Sequence, residues 1–122
     1  MPRRTLEEAQ LHPAIRDKVA NLHVDIVHNV QSAAASNPVL VVGMMGNPFC
    51  RKVRRLLGDA GIAFKYLEYG SYLSQWRQRS ALKMWTGWPT LPMVFVRGAL
   101  VGGADDTEKL IVSGELKRLL GE

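Results

Sequence analysis

Val39-Leu40-Val41-Val42-Gly43-Met44-Met45-Gly46-Asn47-Pro48-Phe49-Cys50-Arg51-Lys52 is the stretch whose reading decides the fold. Val39 to Val42 is a β-branched apolar run with no polar alternation, as a strand covered on both faces requires. Asn47 followed by Pro48 predicts a helix start. Asn is a favoured N-cap, and Pro suits the first helical position because its missing N–H would have no partner there. Downstream, Val53, Leu56, Leu57 and Ala60 recur at helical spacing, and Gly61 fits the position just past the helix. Cys50, the single cysteine of the chain, falls in the first turn. Amide dipoles and the adjacent Arg51 and Lys52 favour a thiolate at such a place.

Working outward, residues 1–13 read as an arm ending at His12-Pro13. From Ala14 to Ala35 the apolar residues Ile15, Val19, Leu22, Ile26, Val30 and Ala33 predict one long helix or two shorter ones. Asn37-Pro38 stops it. Ile62 to Glu68 is a second strand candidate. Tyr69-Gly70-Ser71 turns the chain, and Ser71 is a candidate cap for a helix through Met84 with Leu73, Trp76, Leu82 and Trp85 inward. Met93 to Val96 and Ala99 to Val101 make a hairpin about Arg97-Gly98. Asp105 or Asp106 caps a last helical region, Thr107 to Leu120, interrupted at Ser113-Gly114. This order predicts an α/β fold: a four-stranded mixed sheet flanked by helices. A helical extension over 1–36 precedes a domain over 37–122.

The chain has 122 residues, enough for one sizeable core. No apolar run approaches the roughly 18–20 residues of a membrane span, so no membrane partner is expected. The N-terminus lacks an apolar signal segment. One cysteine makes neither an internal disulfide nor a four-cysteine zinc site and fits a reducing compartment, so the cytoplasm is expected. The net charge is +5, and residues 1–38 are balanced, so the excess lies in residues 39–122. The cations are not interleaved with aromatics on a strand, and a small anionic ligand accounts for them without nucleic acid. His12, His23 and His28 lack metal-ligand spacing, and no metal site is expected.

Several motifs in order resemble the glutaredoxins, a branch of the thioredoxin fold, over about residues 30–120. Asn47-Pro48-Phe49-Cys50 followed by Arg51-Lys52 is similar to the active-site motif of the monothiol branch, Cys-Gly-Phe-Ser followed by Arg-Lys. Asn37-Pro38-Val39-Leu40, Trp88-Pro89-Thr90-Leu91-Pro92 and Gly98-Ala99-Leu100-Val101-Gly102-Gly103 also look like that family. The resemblance implies a cis Pro92 that frees the backbone of Leu91 for a peptide-like ligand. It implies glutathione as that ligand, with its γ-glutamyl end near Gly103, Ala104 and Asp105, and Asp105 meeting the ammonium. Arg79, one turn before Lys83 on the same helix face, is implied to reach the glycyl carboxylate.

The pattern departs from the family at Asn47, which stands where the family nucleophile stands. An amide forms no mixed disulfide and gives no thiolate to iron. The cysteine occupies the fourth position instead, where dithiol relatives keep their resolving cysteine. A lysine that holds glutathione in relatives is also missing, with Met44 near its place. Two readings follow. Cys50 is the catalytic thiolate, attacking protein disulfides or glutathionylated thiols with glutathione as co-substrate, or it fills space in a catalytically inactive binding protein that engages a protein partner. Either way a [2Fe–2S] cluster is not expected.

Overall fold

A computed structural model describes residues 3–122. A short 3-10 turn at Glu8–Gln10 leads to α1, Pro13–Ala20, and α2, Val24–Ser36. Then come β1, Val39–Gly43; α3, Pro48–Asp59; β2, Lys65–Glu68; and α4, Trp76–Thr86. The chain closes with β3, Met93–Val96; β4, Ala99–Gly102; α5, Ala104–Val112; and α6, Glu115–Leu119.

The sheet has the order β2-β1-β3-β4. β1 runs parallel to β2 and antiparallel to β3, and β3 pairs antiparallel with β4. The expected four-stranded mixed sheet is therefore present, with helices on both faces. Alternation along β1 divides the core. Leu40 and Val42 pack with Val30 of α2, Leu82 of α4, Met93 and Phe95. Val39 and Val41 pack on the other face with Val53 and Leu57 of α3, Val94, Val96 and Leu116. Each fully buried aliphatic side chain contributes about 1.5–3 kcal/mol relative to exposure. The boundary expected between residues 36 and 37 falls at the junction of α2 and β1. α2 itself belongs to the core through Val30 and Ala34.

Local signals were followed closely where they rest on neighbouring residues. Asn47 Oδ1 accepts from the amides of Phe49 at 2.8 Å and Cys50 at 3.1 Å, with Pro48 in the first position. Gly61 lies at φ +72° just past α3. Arg97 and Gly98 both take positive φ, as a two-residue hairpin turn demands.

Other expectations are corrected. Of the arm expected over residues 1–13, Met1 and Pro2 lie outside the described residues; beyond them, Arg3 donates to the Thr86 carbonyl at 2.8 Å and residues 8–10 form the 3-10 turn. Of the one long helix or two shorter ones expected from Ala14 to Ala35, the two shorter ones form, parted at Asn21 to His23 with His23 left-handed at φ 45°. β2 begins at Lys65 rather than Ile62, although Ile62 is buried. Ser71 caps no helix. Its hydroxyl accepts from the Leu73 amide in a local turn, and α4 begins only at Trp76. The inward face of α4 is Arg79, Ala81 and Leu82, whereas Leu73 and Trp76 are exposed. The last helical region starts at Ala104, where Asp106 accepts from the Gly103 amide at 3.1 Å.

Candidate functional site

The N-terminus of α3, the loop before β3 and the start of α5 converge on one groove of about 270 Å³. Phe49, Trp88, Leu91, Pro92, Gly103, Ala104 and Asp105 are among its lining residues. The Leu91–Pro92 peptide is cis. Among the described residues, neither backbone group of Leu91 has a backbone partner. The structure thus brings together five positions expected to meet a ligand: Leu91, Pro92, Gly103, Ala104 and Asp105.

The α5 end of the groove offers backbone donors. The amides of Ala104 and Asp105 lie in the first helical turn, where no intrahelical acceptor exists. Such amides bind anions. Gly102 makes room for the Asp106 cap of α5: at φ +120°, a Cβ there would stand 2.6 Å from the Asp106 carboxylate. Asp105 is exposed and takes Lys52 Nζ at 3.3 Å, and Lys52 also reaches Glu108 at 3.4 Å. Hydrogen bonds to Asp105 and then Glu108 raise the Lys52 pKa above its ordinary value. Any ammonium arriving at Asp105 therefore meets a carboxylate that a protein cation already shares.

Arg79 is not brought to the groove. It is buried, and its Nη1 donates to the carbonyls of Tyr69 at 2.9 Å and Ser74 at 2.6 Å. The expected ligand cation instead ties the loop after β2 to the start of α4.

Cys50 also faces elsewhere. It is 0 % exposed and packs with Val42, Met44 and Leu82 in the core. A Cβ at Gly43 would stand 2.9 Å from the Cys50 sulfur and 2.9 Å from the Tyr66 hydroxyl, so all three meet behind α3. Burial pushes the thiol pKa up; a backbone hydrogen bond from Met44 and the Arg54 guanidinium oppose it without reversing it. The expected thiolate at the helix start is thus a protonated thiol in the interior. Tyr66 is likewise raised, first by burial and then by its hydrogen bond to Glu68 at 3.0 Å, with Arg54 4.1 Å over its ring.

Phe49, Trp88 and Lys52 were not singled out from the sequence as site residues. Phe49 had a legible signal, since it falls off the inward stripe of Cys50, Val53 and Leu57. Trp88 had none, because its indole Nε1 is buried without an acceptor through packing beside Gly103.

An iron–sulfur cluster does not fit these residues. The side chain at the family's ligand position is the Asn47 amide, and the chain's single thiol, that of Cys50, is enclosed. Among the described residues no three His, Cys, Asp or Glu side chains are grouped to hold a metal ion.

A four-stranded mixed sheet with a helix-capping motif after β1 and a cis-proline before β3 defines a thioredoxin-like protein. The glutaredoxin family model matches residues 39–101, and the chain belongs to the glutaredoxin family. It is 50% identical over 102 residues to a glutaredoxin-like protein of Dictyostelium discoideum, covering 84% of this chain and 83% of that one. The reduced solution structure of glutaredoxin C1 from Populus tremula x tremuloides superposes with TM-score 0.73 at 31% identity, over 84% of this chain and 88% of that one. A buckwheat glutaredoxin–glutathione complex superposes with TM-score 0.71 at 25% identity, over 83% and 92%.

Proposed function

We propose that this protein binds glutathione in the groove between α3, Pro92 and α5 without carrying out thiol–disulfide turnover. The observation that carries this reading is the exchange at the head of α3: Asn47 stands at the motif's first position as a helix cap, while the sulfur of Cys50 is enclosed. A mixed disulfide needs an accessible thiolate. Binding needs only the groove, and the amides of Ala104 and Asp105 offer it a carboxylate site. The glutathione complex of the buckwheat relative supports the choice of ligand. With one thiol the chain is neither a dithiol enzyme nor a monothiol one of the usual motif. Its reducing compartment is proposed to be the cytoplasm.

Calorimetric titration with reduced glutathione tests the reading. Wild type should bind at millimolar ligand, and Asp105→Ala should bind more weakly. Absence of binding in wild type rejects the ligand. Turnover of a glutathionylated peptide that disappears in Cys50→Ala rejects the non-catalytic half and restores Cys50 as the nucleophile.

A further inference from the structure

The edge beside the groove is a surface that a glutathione site does not require. Met45, Tyr72, Leu73 and Trp76 are exposed by 59, 65, 96 and 59%. They do not lie apart. The Met45 amide donates to the Gly70 carbonyl at 2.7 Å, and Asn47 Nδ2 reaches the Tyr72 hydroxyl at 3.5 Å. Buried Arg79 holds the intervening loop by its carbonyls at Tyr69 and Ser74. These bonds hold side by side the two loops that carry the four exposed apolar side chains. Exposed apolar groups gathered in this way mark an interaction surface.

Charge says what it accepts. Residues 45–51 and 69–77, the two stretches that carry this edge, contain no Asp or Glu. Arg51 lies one turn after Asn47 on the same face of α3, and the Arg77 guanidinium sits 5.0 Å over the Trp76 ring. Both are exposed, and among the described residues neither pairs with a carboxylate. The nearest acid in sequence, Glu68, accepts from the Tyr66 hydroxyl.

We infer that this edge docks an acidic segment of another protein, its apolar side chains covering Leu73 and Trp76 and its carboxylates meeting Arg51 and Arg77. Aromatic and arginine side chains are the residue types that dominate binding energy at such surfaces. Single-stranded nucleic acid is the weaker fit, because the most exposed group is aliphatic Leu73 and stacking platforms are aromatic. The inference goes beyond the glutathione reading and stands whether or not the groove is filled.

The test uses the full chain and a fluorescein-labelled peptide alternating glutamate with leucine and phenylalanine. Control peptides carry glutamine or lysine for glutamate, and an oligothymidine strand is run alongside. Binding of the glutamate peptide should exceed that of the glutamine peptide by about tenfold and weaken with salt. Leu73→Ser and Trp76→Ala, checked for unchanged melting, should each lose about tenfold. Arg77→Glu should move the preference toward the lysine peptide. No binding of the glutamate peptide, equal binding of the glutamine peptide, or indifference to Leu73→Ser and Trp76→Ala overturns the inference. So does tighter binding of the oligonucleotide, or a dimer of the protein that Leu73→Ser dissolves. A glutathione titration of the same variants keeps the two readings apart, since loss at the edge leaves the groove intact.

Discussion

The carboxamide of Asn47 accepts from the amide of Cys50 at 3.1 Å, while the Cys50 sulfur points into the core against Gly43 and Tyr66. Cap and thiol occupy the two ends of one helical turn, and neither is placed to do the other's work. The side chain at the head of the helix has no sulfur, and the side chain with sulfur is sealed. On the reading proposed above, this arrangement keeps the scaffold and separates it from the chemistry.

Asn47→Ala should therefore cost about 1 kcal/mol of stability through the lost cap, read as a lower urea midpoint. On the proposed reading, Asn47→Cys should instead create glutathione-dependent reductase activity absent from wild type, because a thiol at the cap would face the amides of Phe49 and Cys50. An inactive Asn47→Cys protein that still binds glutathione would show that the scaffold lacks more than its nucleophile.

Gly43→Ala should destabilise by about 1–3 kcal/mol, since the new methyl meets the Cys50 sulfur and the Tyr66 hydroxyl inside contact distance. In the Gly43→Ala/Cys50→Ala double variant part of the space returns. The two single-variant losses should then sum to more than the double-variant loss in equilibrium unfolding. Simple additivity would place the sulfur elsewhere.

Replacing Arg79 distinguishes a loop tie from a ligand cation. Arg79→Met leaves the carbonyls of Tyr69 and Ser74 without their donor and should lower stability by about 1–3 kcal/mol. Glutathione affinity measured well below the melting temperature should change little. A large loss of affinity with unchanged stability would return Arg79 to the ligand.

Alkaline stability reports the buried thiol. The thiol of Cys50 and the hydroxyl of Tyr66 are raised from ordinary values of 9.0 and 10.0. An acid raised by folding contributes stability that is fully present below its unfolded value and lost as pH rises through its folded one. Unfolding midpoints should therefore fall above about pH 9, and Cys50→Ala should flatten the first part of the fall. Parallel profiles for wild type and variant would contradict the burial of an ionisable thiol. Iodoacetamide should likewise label Cys50 slowly in the native protein and rapidly in urea.

Anaerobic reconstitution with iron, sulfide and glutathione should leave the protein colourless, because cluster binding needs a thiolate aimed at the metal. A visible charge-transfer band that disappears in Cys50→Ala would show that the sulfur reaches iron.

The sequence by itself determined what depends on neighbours within a turn or along one strand. Asn47-Pro48 sets the start of α3, Arg97-Gly98 sets the hairpin, and the uninterrupted Val39–Val42 run sets a covered central strand. The same local signals, taken in order, were enough for the family and for the positions of Pro92 and Gly103. Tertiary structure decided the fate of side chains whose partners are distant. Whether Cys50 is a thiolate depends on how closely α3 lies on β1 and β2, where Gly43 and Tyr66 enclose the sulfur. Arg79 is implied by the family resemblance to meet a ligand carboxylate, yet the loop from Tyr69 to Ser74 folds over it and supplies carbonyls. Leu73 reads as the start of a helix face, yet that loop leaves it in solvent. In each case the deciding energy is desolvation or burial, which arises only when segments far apart in the chain are packed together.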